Sequence, residues 1–102
     1  MNGLAILLAT VSLNSAPYDF PGSCAEKVQV LYEVAQNKAL LKSFAGFEPR
    51  YRFRLTDDVP SRYHEKMIGC VTKGVEMFVP GYHLSPTGER DGGHEFYILE
   101  RE

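Results

Sequence analysis

Tryptophan is absent from this 102-residue chain, and cysteine is scarce, with only Cys24 and Cys70 present. Two cysteines are too few for the several-bridge framework that small secreted domains use in place of a large core. Neither lies in a Cys-x-x-Cys pair, so no zinc or dithiol redox motif is present. They read as two buried free thiols, since cysteine is among the most buried residue types. A single Cys24–Cys70 bridge is the alternative in an oxidising compartment. A basic excess is also missing: 11 Lys and Arg stand against 13 Asp and Glu, for a net charge of −2. That balance argues against nucleic acid as a partner. No low-complexity segment or internal repeat occurs. The uncharged run Leu4–Leu13 is about half of the roughly twenty residues a membrane span requires, so no membrane partner is expected.

What is there is ordinary for a globular protein: 44% hydrophobic, 24% charged, with six Tyr and six Phe. A chain of about one hundred residues forms one domain, here 1–102, and buries roughly two-thirds of its unfolded surface. The opening "MNGLAILLATVSLNSAP" has the apolar stretch of a secretion signal but lacks the rest. Met1-Asn2-Gly3 carries no positive charge. The best cleavage point, after Ala16, puts Asn14 where a small residue is wanted and Pro17 just beyond the cut. Residues 3–14 are therefore expected to be a core element. The spacing of Leu4, Leu7, Leu8 and Val11 favours helix, with a doubly buried strand as the alternative. With free thiols and no leader, the expected location is cytoplasmic.

Further along, "SAPYDFPG" is a loop. Ser23 and Glu26 then form a capping box, which starts a helix running to about Phe44, with Gly46 as its stop. One apolar stripe on it is Cys24, Val28, Leu31, Tyr32, Ala35 and Ala39. A second is Val30, Val34 and Leu41, which implies something further to pack against, the N-terminal segment or a second subunit. In "RYRFRLT" the period changes to two, giving a half-buried strand with Arg50, Arg52 and Arg54 outside. "MIGCVTKGVEMFVP" reads as a β-hairpin turning at Lys73-Gly74. "PGYHLSPTGERDGG", residues 80–93, reads as a long loop, and "HEFYILE" as a final strand. The expectation is an α+β domain: one or two N-terminal helices packed on a three- to four-stranded antiparallel sheet.

The residues able to carry chemistry are few. His64, His83 and His94 match no common metal spacing, so no metal is expected. No dinucleotide fingerprint, phosphate loop or nucleophile elbow occurs, so no cofactor is expected either. The arginine row Arg50, Arg52, Arg54 offers guanidinium groups about 7 Å apart on one face, suited to phosphates or an acidic partner. Pairing with Glu76, Glu95 or other acids is the structural alternative. Loops of the length of residues 80–93 tend to be functional, which makes Tyr82 and His83 ligand-binding candidates.

"RYHE", followed some thirty residues later by "GGH" before a closing strand, resembles the end of microbial guanyl-specific ribonucleases. The resemblance implies Glu65 as general base and His94 as general acid. It covers under half of the chain, and that family's arginine cluster between the two residues is missing. Only Lys66 and Lys73 lie there, so Arg90 or Arg54 would have to supply the cation. The expected function is that of a small soluble binding or interaction protein, with an apolar small-molecule pocket or a protein partner, and a homodimer as its possible assembly. The alternatives are a ribonuclease-like hydrolase using Glu65, His94 and Arg90, and an immunity or antitoxin-type protein.

Overall fold

The computed structural model describes the backbone of residues 18–19 and 22–102 and the side chains of 22–102. The element expected over residues 3–14 lies outside the described residues. The order is β1 (Tyr18–Asp19), α1 (Cys24–Ala45), β2 (Arg52–Arg54), a 3₁₀ turn (Ser61–Tyr63), α2 (His64–Phe78), β3 (Tyr82–Asp91) and β4 (His94–Arg101). The sheet runs β1-β2-β4-β3. β2, β4 and β3 are antiparallel neighbours, and β1 adds two residues parallel to β2 at one edge. Both helices pack against this sheet, so the fold is α+β.

α1 begins as its sequence dictates. The Ser23 hydroxyl accepts from the Glu26 amide at 3.2 Å, and the Ser23 amide donates to Glu26 Oε1 at 2.7 Å. It ends at Gly46, whose left-handed backbone (φ 82°) lets its amide reach back to the Lys42 carbonyl. Its buried face is Val28, Leu31, Val34 and Ala35, together with Lys27 and Lys38. Val34, assigned from the sequence to a second apolar stripe, is inside this chain's own core, and Val30 packs against that core. The two buried lysines are tolerated because their ammonium groups are paired. Lys27 Nζ bonds Asp58 Oδ1 at 2.9 Å, and Lys38 Nζ donates to the Pro49 carbonyl oxygen.

Residues 64–78 are a helix, which corrects the expected hairpin. Met67, Val71, Val75 and Val79 recur every fourth residue. Val71 and Val75 are fully buried, Val79 nearly so, and Met67 packs beside them. A period of two around a Lys-Gly turn would instead put Ile68, Cys70 and Thr72 on one face with Val75, Met77 and Val79, and the core, which buries Val71 and leaves Cys70 and Met77 exposed, decides between the readings. Gly74 is there for contact, not for turning. A Cβ on it would lie 2.5 Å from Val28 Cγ2 of α1. Cys24 is also bonded to Cys70. From that bond to the Val28–Gly74 contact the chain advances four residues on each helix, so α1 and α2 run side by side in the same direction.

β3 occupies the stretch expected to be a long loop. Tyr82 and Leu84 point into the core, and the strand joins β4 through Gly92-Gly93, both at positive φ (60° and 86°), as a two-residue hairpin turn requires. A register shift between Pro86 and Arg90, with Gly88 at φ 86°, bends the strand. Proline, glycine and charge in a bulged edge strand give it the composition of a loop. The expected strand of "RYRFRLT" is present: Tyr51, Phe53 and Leu55 are 3%, 0% and 1% exposed, and the arginines alternate with them. The helices, however, are not both N-terminal, since the second described one lies between β2 and β3.

Candidate functional site

Among the described residues a groove opens between α1 and α2, with a volume of about 720 Å³. Its floor is set by the close approach of Val28 and Gly74. The Cys24–Cys70 disulfide crosses one end. This bond corrects the expectation of two buried free thiols: Cys24 is half-buried and Cys70 is exposed. Tyr32, Met77 and Phe78 line the other end. Met77 and Phe78 are 64% and 62% exposed, although large apolar residues ordinarily seek burial. Among the polar lining residues, Gln29 donates its side-chain amide to Glu33 at 3.1 Å. Lys73 makes no hydrogen bond or ion pair among the described residues. The groove is thus a mostly apolar trough, open to solvent, with a cation at its rim.

A second constellation joins His94, at the start of β4, to the first residue of α2. The rings of His64 and His94 have centroids 5.2 Å apart. His64 Nε2 lies 2.7 Å from the Val59 carbonyl oxygen. A carbonyl only accepts, so this nitrogen carries the hydrogen. His94 Nδ1 is 3.1 Å from the hydroxyl of buried Thr56, and His94 Nε2 is 3.9 Å from Asp57 Oδ1. The fold thus brings His64, the residue before Glu65, against His94. Glu65 is exposed in the first turn of α2, and no hydrogen bond or ion pair ties it to His94. Arg90 is engaged elsewhere, donating to the Gly93 carbonyl at 2.8 Å and lying 3.7 Å from Glu95.

The arginine row meets acids of β4 and, beyond it, of β3: Arg50 pairs with Glu100, Arg52 with Glu89 and Arg54 with Asp91, at 3.0–3.4 Å. The guanidinium groups of Arg52 and Arg54 also lie over the Phe96 ring, at 5.1 and 6.0 Å. That roof, with its aliphatic stems, explains how Phe96 stays 6% exposed on the sheet face away from the helices. The ligand-binding candidates Tyr82 and His83 are likewise occupied. Tyr82 donates to Glu48 at 2.7 Å and accepts from Arg101 at 3.0 Å, while His83 lies 3.6 Å from Glu100. Burial, with the Glu48 carboxylate beside it, pushes the Tyr82 phenol up to about 12. Burial opposes ionisation of Glu48, but hydrogen bonds from Arg101 and Tyr82 outweigh it and hold the carboxyl below its ordinary value. Burial lowers the Lys38 ammonium.

Sequence reasoning passed over the groove because it read α2 as strands. On a period of four, Met77 and Phe78 fall outside the 67/71/75/79 stripe, and that leftover apolar pair is the signal that would have found it. The Lys27–Asp58 pair gave no sequence signal, since it spans 31 residues. Among the described residues, no group of three or more His, Cys, Asp and Glu side chains is placed to hold a metal ion, and no helix is long and apolar enough to cross a membrane. No protein family matches the chain, and no curated protein or solved structure is significantly similar to it.

Proposed function

We propose that this protein is a small binding module that holds one apolar molecule in the groove between α1 and α2. The observation that carries the reading is the groove itself. Its volume of about 720 Å³ is within the range of small-molecule sites, roughly 300–1,000 Å³. Its mouth leaves Met77 and Phe78 in water, a standing cost of exposed apolar surface that an apolar ligand would relieve. The disulfide fixes the two helices at one end of the groove, so the site is largely formed before a ligand arrives.

The same bond bears on location. The cytoplasmic expectation rested in part on free thiols. A disulfide between Cys24 and the exposed Cys70 supports an oxidising compartment instead, because cytosolic thiols are kept reduced.

The test uses N-phenyl-1-naphthylamine, a neutral probe whose fluorescence rises in apolar surroundings. Oxidised protein should enhance it saturably. Ala25→Trp, which fills the groove from an exposed position, should abolish the enhancement without changing the circular dichroism. No enhancement with the parent protein, or equal enhancement with Ala25→Trp, would refute the reading.

A second reading, a hydrolase, draws support from the approach of His64 and His94. Two imidazoles at that spacing can face one substrate as general base and general acid. In this version His64 replaces Glu65. RNA cleavage lost in both His64→Ala and His94→Ala, but retained in Glu65→Gln, is the expected result. Absence of cleavage by the parent protein contradicts it.

A further inference from the structure

From the rim of the groove we infer the class of its ligand: a single-chain amphiphile with a carboxylate head. The inference rests on the binding reading above and adds charge to it. The trough is lined by the apolar surfaces of Val28, Tyr32, Met77 and Phe78, and the one charged side chain among its lining residues is Lys73. Every described arginine of the sheet has an acidic partner within 4 Å, as does buried Lys27. Lys73 makes no such contact among the described residues. It is exposed and sits between Cys70 and Met77 on α2.

An apolar trough with one unopposed cation at its edge complements a molecule with one apolar tail and one negative head. A neutral apolar ligand would leave the ammonium unused. A dianionic head would exceed the charge available, since the other polar side chains of the lining, Gln29 and Tyr32, are neutral; Gln29 donates to Glu33 and the Tyr32 hydroxyl accepts from Gln36. The flexible ammonium reaches a head that remains in water, so the tail supplies most of the affinity and the head supplies selectivity.

The experiment displaces N-phenyl-1-naphthylamine from the oxidised protein with decanoate and, separately, with decanol, and repeats both with Lys73→Gln and Lys73→Arg. An exposed ion pair contributes up to about 1 kcal/mol, or roughly fivefold in affinity. The decanoate-to-decanol affinity ratio should therefore fall about fivefold in Lys73→Gln and survive in Lys73→Arg. High salt should erase the parent's advantage in the same way. If both ligands displace the probe and the ratio ignores Lys73→Gln, the carboxylate inference is overturned and the apolar groove stands. If the probe does not bind the parent protein at all, the groove reading falls, and this inference with it.

Discussion

Replacing both cysteines by alanine isolates what the Cys24–Cys70 bond contributes. Cys70 is exposed and Cys24 half-buried, so the side chains themselves lose little packing, within about 0.5 kcal/mol. The larger effect is on the unfolded chain. The bond closes a sequence separation of 46 residues, and a loop of that length loses unfolded-state entropy worth about 4 kcal/mol in the chain-entropy treatment. That is a large share of the roughly 5–15 kcal/mol by which a domain is stable. For a domain of this size it corresponds to a fall in Tm of about 15–30 °C. The assay is equilibrium unfolding in guanidinium chloride, comparing the oxidised parent with Cys24→Ala/Cys70→Ala. The midpoint should fall and the denaturant slope should rise, because the uncrosslinked unfolded chain exposes more surface. A loss below about 1 kcal/mol with an unchanged slope would refute the reasoning, and mass spectrometry of the native protein showing two free thiols would remove its premise.

The two helical glycines of α2 should respond in opposite directions. Gly69→Ala meets nothing within 4 Å and should stabilise by about 0.5–1 kcal/mol, whereas Gly74→Ala forces a Cβ to 2.5 Å from Val28 and should destabilise by about 1–2 kcal/mol, both read by thermal unfolding. Asp58→Asn takes the charge from one partner of the fully buried Lys27 ammonium and should cost about 1–3 kcal/mol. Lys27→Met should cost less, because Asp58 remains partly in water and keeps the Gly22 amide. The same aspartate shapes the acid limb. Burial raises its pKa, but hydrogen bonds from Lys27 and Gly22 outweigh that and hold the folded value below the ordinary 3.8. Its contribution is therefore complete above the unfolded value and is lost as pH falls through the depressed folded one. A stability profile taken downward from about pH 5 should be flatter in Asp58→Asn than in the parent.

The first helix was legible because its signals are local. A capping box, a glycine stop and an apolar face lie within the segment they define, and each is present in the fold. β2 was legible for the same reason, from the alternation of Tyr51, Phe53 and Leu55. The stretch from Met67 to Val79 was not, because β-branched residues around Lys73-Gly74 fit two periods. The contact that selects between them, Val28 against Gly74, joins residues far apart in sequence. β3 was hidden by its position. An edge strand with a bulge needs the glycine, proline and charge that also mark loops. The groove was hidden with α2, because its residues from Cys70 to Phe78 were assigned to a hairpin, and the approach of His64 to His94 joins residues thirty positions apart in sequence.

The most direct test of the central claim is a nuclear magnetic resonance titration of the oxidised protein with decanoate, following backbone amides and methionine methyls. Saturable one-site shifts at Val28, Gly74 and the Met77 methyl, with little change elsewhere, are the predicted result. Shifts centred instead on exposed apolar residues elsewhere, such as Leu40 and Phe44 in the last turns of α1 and Phe47 just beyond it, or no saturable shifts at all, would contradict it.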